Sequence, residues 1–343
     1  MSAKNILIVG GAGYVGGWLT DRALEAGHNV RVYDLLVYES LYLKEVPFVA
    51  GDVLDLERLK PELAWADVVV WLAALVGDPA CALDESLTRK VNLESLTPLW
   101  ESFDGRVIFT STCSVYGAQE SVLDESSTTA PLSLYAECKL EAERLLTKNR
   151  PDALILRLAT LAGTGDTYSR LRLDLVVNLM VVRAKLINKL QVFGGAQYRP
   201  LLHVRDVATA AVEHLDTTSS GIYNLGTMNS RIQEIAERIA SAVPGTEIEL
   251  IDVPFQDTRN YQVSFERAEK ELKFVPRFTV DDAIAEVAQL IDEGRVRDPS
   301  TAQFSNFDAL KPFLAPERIP LGREVRAAHV LSRHSEQSQG AER

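Results

Sequence analysis

The apolar run Ile6-Leu7-Ile8-Val9 leads straight into Gly10-Gly11-Ala12-Gly13-Tyr14-Val15-Gly16, and beyond it Val15, Leu19, Ala23 and Leu24 keep helical spacing up to Gly27. A short continuous apolar run is what a parallel strand buried on both faces requires. Glycines at 10, 13 and 16, between such a strand and a helix, permit a tight turn and close backbone approach to a pyrophosphate. The helix N-terminus adds free N–H groups and a positive dipole end. The run therefore predicts an α/β chain with a dinucleotide at its first turn, contacted by Gly10, Gly13, Tyr14, Val15 and Gly16.

The rhythm continues in the same sense. Strands are expected at Val30–Tyr33, Phe48–Val49, Val68–Ala73, Val107–Ser111 and Ala153–Leu158, separated by helices at Leu56–Leu63, Leu83–Phe103 and Ser133–Lys148. Alternation of this kind reads as βαβ units, and predicts a Rossmann-type, doubly wound parallel sheet of about six or seven strands. After Gly163 the pattern loosens into helices at Leu175–Leu186, Asp206–Leu215 and Ile232–Ala242 and short strands at Gln191–Phe193 and Gly221–Leu225. The expected division is a dinucleotide-binding domain over 1–163, with segments around 191–225 returning to it. A smaller mixed α/β substrate lobe follows over 164–323, and a mobile tail over 324–343.

Composition narrows the partners. With 36 Lys+Arg against 48 Asp+Glu, the formal charge is −12, and no basic stripe exists for a nucleic acid or an anionic membrane. Cys81, Cys113 and Cys138 lack disulfide or metal-ligand spacing, so a cytoplasmic protein without a bound metal is expected. No apolar run approaches the ~18–20 residues of a membrane span.

Asp34 closes the second strand about 20 residues beyond the glycine run, where a carboxylate accepts hydrogen bonds from the adenosine ribose. It would repel a 2′-phosphate, and Leu35-Leu36-Val37 offers no arginine to receive one, so NAD is favoured over NADP. Asp52 and Val53, after the third strand, are expected at the adenine edge.

A second constellation is Tyr135-Ala-Glu-Cys-Lys139, preceded by Phe109-Thr-Ser-Thr112. Spacing of four puts Tyr135 and Lys139 on one helix face. A phenol acting as base at pH 7 needs its pKa lowered by roughly 3 units, about 4 kcal/mol, a field that Lys139 and an oxidised nicotinamide would supply. Thr112, at a strand end, is placed to bond the same substrate oxygen.

Together these residues resemble the extended short-chain dehydrogenases/reductases, in particular the NAD-dependent nucleotide-sugar epimerase/dehydratase group, over roughly residues 4–290. The likeness rests on the glycine run, Asp34, Leu72-Ala73-Ala74, Asn92, Thr112 with Val115-Tyr116-Gly117, Tyr135/Lys139, and Arg199-Pro-Leu-Leu-His203-Val-Arg-Asp206. It implies Thr112, Tyr135 and Lys139 as catalytic triad, and NAD held also by Leu72, Ala73, Ala74 and Asn92. It further implies a nucleoside-diphosphate sugar contacted by Asn178, Arg199 and Arg259. His203 is expected to be structural.

Departures from that pattern are informative. Trp71 stands where the group commonly has histidine, and Thr112-Cys113-Ser114 replaces the Thr-Asp-Glu typical of its 4,6-dehydratases. Loss of water needs a proton donor and a base at that place, so epimerisation through a 4-keto sugar is expected ahead of release of the ketone, and both ahead of dehydration. Cys81 is either a pocket residue or a buried inert thiol, and Gly77 and Ala80 beside it would leave room for a sugar to turn. Arg170, Arg172 and Asp174 either read substrate or pair with one another. Leu134, Ala136 and Leu140 form a dimer seam or ordinary core, a homodimer being the expected assembly.

Overall fold

The computed structural model describes residues 2–39, 41–251 and 260–314. Its first half runs β1 (Asn5–Val9), α1 (Gly16–Glu25), β2 (Asn29–Asp34), β3 (Phe48–Ala50), α2 (Leu56–Trp65) and β4 (Val68–Trp71). Three short helices follow, α3 (Asp78–Cys81), α4 (Glu85–Asn92) and α5 (Pro98–Glu101), then β5 (Arg106–Thr112), β6 (Val122–Leu123), α6 (Leu134–Asn149) and β7 (Leu154–Leu158). The second half continues with β8 (Thr160–Ala162), α7 (Val176–Ile187), β9 (Lys189–Phe193), β10 (Tyr198–His203), α8 (Val204–Glu213) and β11 (Gly221–Leu225). It closes with β12 (Met228–Arg231), α9 (Ile232–Ala242), β13 (Glu247–Ile251), β14 (Gln262–Val263), α10 (Glu266–Glu271), α11 (Val280–Asp292) and α12 (Asn306–Leu314).

Seven strands form one parallel sheet in the order β11-β7-β5-β4-β1-β2-β3. The continuous apolar character of β1 has a direct cause. Ile6 and Ile8 pack on one face with Leu19 and Ala23 of α1 and Ala208 and Ala211 of α8, while Leu7 and Val9 pack on the other with Leu59 and Leu63 of α2. The four apolar side chains of β1 are fully buried, each stabilising the fold by about 1.5–3 kcal/mol.

Because β1 pairs with both β4 and β2, and Val9 stands opposite both Trp71 and Tyr33, the strands end level. The chain leaves β1 toward β2 and later returns to place β4 on its other side. That reversal opens the crevice at the carboxyl ends of the strands where open α/β sheets bind ligands.

A second cluster joins Val177 and Val181 of α7, Ile235 and Ile239 of α9, and Ile284 and Val287 of α11. It covers a three-stranded sheet, β12-β10-β8, and a two-stranded one, β13-β9. Two sequence expectations change here. Residues 191–193 pair with β13, so of the two segments expected to return, only β11 joins the main sheet. The single helix expected over Leu83–Phe103 is broken into α4, a 3-10 turn at Glu94–Leu96 and α5, which starts at Pro98; proline has no N–H to continue a preceding helix. The tail expected over 324–343 lies outside the described residues. No helix among the described residues is long and apolar enough to cross a membrane.

Candidate active site

A single cavity gathers the strand ends. Gly10 adopts φ +86°, and a Cβ there would come within 2.5 Å of the Ala73 nitrogen, so the turn after β1 and the segment after β4 touch through backbone. A Cβ on Gly16 would lie 2.5 Å from the Gly11 Cα. Gly13 differs, because its Cβ would meet only the Gly10 carbonyl at 3.3 Å. The protein crowds that position less than the other two, and it lies on the cavity wall. No side chain caps α1, leaving its N-terminus to an anion. The turn therefore has the form that a dinucleotide pyrophosphate needs.

Asp34 lines the cavity at the end of β2. Its carboxylate accepts from the Ala12 N–H at 3.0 Å and the Leu36 N–H at 2.8 Å. Burial raises its pKa against those two bonds. Leu36 pays for the second bond with a left-handed backbone, φ 57°, a strain that functional loops commonly store. Asp52 and Val53 line the same end, with Asp52 accepting from the Leu54 N–H at 3.0 Å. Leu72, Ala73 and Ala74 supply the wall after β4, where the Leu72 and Ala73 N–H groups both bond the Val9 carbonyl, at 2.8 and 2.9 Å.

Tyr135 and Lys139 enter the cavity from the first two turns of α6, whose N-terminus is capped by Ser133. Lys139 Nζ donates to the Thr110 carbonyl at 2.8 Å and lies 4.5 Å from the centre of the Phe109 ring. Burial brings this ammonium down to about 8, and burial also pushes the Tyr135 phenol above its usual range. The protein by itself thus holds Tyr135 protonated, and making a base of it requires further positive charge in the cavity.

Thr112 ends β5, two residues beyond the Thr110 that Lys139 bonds, and its Oγ1 accepts from the Ser114 N–H at 3.1 Å. The wall contributed by β5 is Thr110 and Ser111, with Thr112 just outside it; its hydroxyl proton is not used in the capping bond.

Several other expected site residues lie off this cavity wall, most of them with side-chain hydrogen bonds spent elsewhere. Asn178 is fully buried. Its oxygen accepts from Gly163 N–H at 3.1 Å and its nitrogen donates to the Gly163 and Arg172 carbonyls at 2.9 and 3.0 Å. Both donors being used, it braces the loop before α7 and does not reach the cavity. Asn92 likewise grips the Leu75 backbone, accepting at 2.8 Å and donating at 2.9 Å; it shapes the wall from behind. Cys81 is buried, gives its thiol to the Leu75 carbonyl at 3.2 Å and is pushed up to about 12 by burial, so it is an inert thiol off the wall. Arg199 lies on β10 with a guanidinium N–H on the Tyr198 carbonyl at 2.8 Å, away from this cavity. Arg259 lies outside the described residues. Gly77 and Ala80 are not on the wall either; larger residues, Leu75, Val76 and Leu87, stand there. Ala136 and Leu140 are buried in their own chain's core. His203 caps α8 and meets Glu286 at 3.2 Å.

The wall also holds residues that no motif marked. Tyr38 and Glu39 come from the loop after β2, Arg170 and Arg172 from the loop before α7, and Asn306, Leu310 and Phe313 from α12. Only the alternation Arg170-x-Arg172-x-Asp174 gave a sequence signal, and it left pairing and ligand binding equally open.

Comparison with known proteins agrees with this geometry. The sequence model of the NAD dependent epimerase/dehydratase family matches residues 6–226. The UDP-glucose 4-epimerase of Rhizobium meliloti (strain 1021) is 29% identical over 274 residues, 70% of this chain and 82% of the relative. UDP-glucuronic acid decarboxylase 1 of Danio rerio is 24% identical over 303 residues, 83% of this chain and 72% of the relative. Among solved structures, UDP-glucose 4-epimerase of Thermotoga maritima superposes with a TM-score of 0.75 at 20% identity, covering 85% of this chain and 99% of the other.

Proposed function

The chain belongs to the NAD dependent epimerase/dehydratase family, and from that premise we propose that it is an enzyme that epimerises the sugar of a nucleoside-diphosphate sugar through a 4-keto intermediate. Gly10, Gly13, Gly16, Asp34 and the Leu72–Ala74 segment would hold the NAD. When bound, NAD supplies the acceptor for the C4 hydride and the donor for its return.

In this reading Tyr135 takes the proton from the C4 hydroxyl and later gives it back. The Lys139 ammonium, fixed on the Thr110 carbonyl, lowers the cost of the phenolate through its charge. Thr112 shares the substrate oxygen and orients it. Homodimeric assembly and a cytoplasmic setting belong to the same reading.

One observation carries epimerisation ahead of dehydration. Cys113 is fully buried, its thiol donates to the Arg157 carbonyl at 3.4 Å, and burial raises its pKa. It is in no position to act as an acid. The cavity's carboxylates, Asp34, Glu39 and Asp52, all come from the β2–β3 side of β1, whereas Tyr135 and Lys139 approach from the β5 side. On the cavity wall, therefore, no carboxylate stands on the Tyr135 side to serve loss of water from a 4-keto sugar.

The test is proton NMR of purified protein with UDP-glucose, UDP-galactose and UDP-glucuronate in deuterated water. Inversion at C4 with the C4 proton retained is the expected outcome. Exchange of that proton with solvent, or no inversion with any of them while a keto sugar is released, would overturn the reading.

A further inference from the structure

The loop between Gly163 and α7 is fastened onto the first βα unit. Tyr14 Oη donates to the Gly163 carbonyl at 2.6 Å and Trp18 Nε1 donates to the Thr164 carbonyl at 2.9 Å, while Lys44, from the segment between β2 and β3, bridges the Gly17 carbonyl at 2.8 Å and Asp166 at 2.7 Å. This brings two guanidinium groups to the cavity wall that the glycine turn shares. Arg172 lies 5.9 Å from the centre of the Tyr14 ring, Tyr14 being part of that turn, and Arg170 lies 4.5 Å from the centre of the Tyr38 ring.

Two half-buried cations side by side are costly unless counter-charge reaches them. Arg172 has Asp174, at 2.8 and 3.0 Å. The guanidinium of Arg170 hydrogen-bonds only neutral oxygens among the described residues, the Gln303 carbonyl at 2.7 Å and the Asn306 side chain, while the charges of Asp174 and Glu39 act on it from farther off. Glu39 is nearby but accepts from the Arg170 backbone N–H, at 2.8 Å. Burial, then the neighbouring Arg172, lower the Arg170 pKa. Tyr38 Oη, shielded from solvent, has no hydrogen-bond partner among the described residues. An unpaired hydroxyl and two guanidinium groups thus line the same cavity as a turn whose form also suits an anion.

We infer that Arg170 and Arg172, with the Tyr38 hydroxyl, bind a diphosphate in the cavity, completing from the second lobe the site that the glycine turn begins. The ligand chemistry is a pyrophosphate ester, carried either by the dinucleotide or by the nucleotide sugar; the inference rests on reading the cavity as their site. Asn306 is the positioning residue. Its side chain accepts from Arg170 and donates to the Val76 carbonyl at 2.8 Å, and its backbone N–H donates to Asp174, the partner of Arg172, at 3.0 Å. One residue of α12 therefore sets both guanidinium groups.

The test is calorimetric titration of the full chain, stripped of nucleotide, with NAD, with UDP and with adenosine. The variants are Arg170→Gln, the charge-balanced pair Arg172→Gln/Asp174→Asn, and Asn306→Ala, which removes no charge and guards against a misfolded arginine variant. A loss of tenfold or more for a diphosphate in the arginine variants, and a smaller loss in Asn306→Ala, with adenosine binding unchanged, is the expected result. Loss confined to NAD assigns the site to the cofactor, and loss confined to UDP assigns it to the substrate. Diphosphate affinities within twofold of the parent in all three variants would overturn the inference alone. A parent protein that binds neither NAD nor UDP would overturn it together with the proposed function.

Discussion

Glu143 holds Arg157 by contacts of 2.6 Å to Nη2 and 3.0 Å to Nε, with both side chains buried beneath the end of β5. Tyr135, Lys139 and Glu143 recur at spacing four along α6, so one helix face carries the two site residues and the anchor below them. Glu143 also accepts from Ser111, and Arg157 Nη1 donates to Tyr116 Oη at 2.8 Å. Removing one partner leaves an uncompensated buried charge. Glu143→Gln should therefore cost about 3–5 kcal/mol, read from urea unfolding. The double change Glu143→Leu/Arg157→Met should cost much less, and equal losses in both would show that the pair is not coupled.

Lys139 titrates where an assay can see it. Burial brings its folded value to about 8, below the 10.5 of a free lysine. Between those values the unfolded chain binds more protons than the folded one, so the cost of burying this charge is full below about pH 8 and is relieved as pH rises toward 10.5. Ligand binding runs the other way, because only the protonated form presents an ammonium. NAD affinity of the stripped protein should fall as pH rises through about 8, and Lys139→Met should abolish that step. An identical pH profile in the variant would assign the step elsewhere.

The glycine-turn half of the cavity was legible because its geometry is written locally. Gly10, Gly13 and Gly16 stand between a strand and a helix, and Asp34 ends the next strand; level strand ends then bring them together. The second lobe was not, for two physical reasons. A family motif identifies Asn178 without revealing that its amide is already consumed by Gly163 and Arg172. Arg170 reaches the same cavity wall from a loop more than a hundred residues beyond the glycine turn in sequence, and is set by Asn306 on a helix beyond the span of any motif. Such relationships are tertiary and leave no periodicity.

Asp34 should make the cofactor choice. A carboxylate already held by two backbone N–H groups has little freedom to move aside for a 2′-phosphate. NAD should bind at least tenfold more tightly than NADP, and Asp34→Ala should shrink that ratio. Equal affinities in the parent protein would remove Asp34 from this role.

Tyr135→Phe keeps the ring's packing and deletes the proton carrier. Turnover should fall by 10³-fold or more, on the scale of a lost acid–base group with its oriented partner, while NAD affinity stays within about threefold. Turnover within tenfold of the parent would mean that another group moves the proton.

The product's mass decides the fate of the 4-keto sugar. Dehydration would need a proton donor beside Tyr135 for the departing hydroxyl, and the nearest sequence substitute for an acid, Cys113, is buried with its thiol on the Arg157 carbonyl. Without that donor the keto sugar either takes its hydride back or leaves. The turnover mixture should therefore contain a sugar nucleotide of unchanged mass, or one lighter by two hydrogens with an equal amount of NADH. Cys113→Asp does not create a working acid unless the side chain turns out of the core, so this variant should lose stability before it gains any dehydration. A product lighter by one water from the parent protein would show that an acid outside the described cavity wall serves the reaction, and the segment around Arg259 would be the first place to substitute.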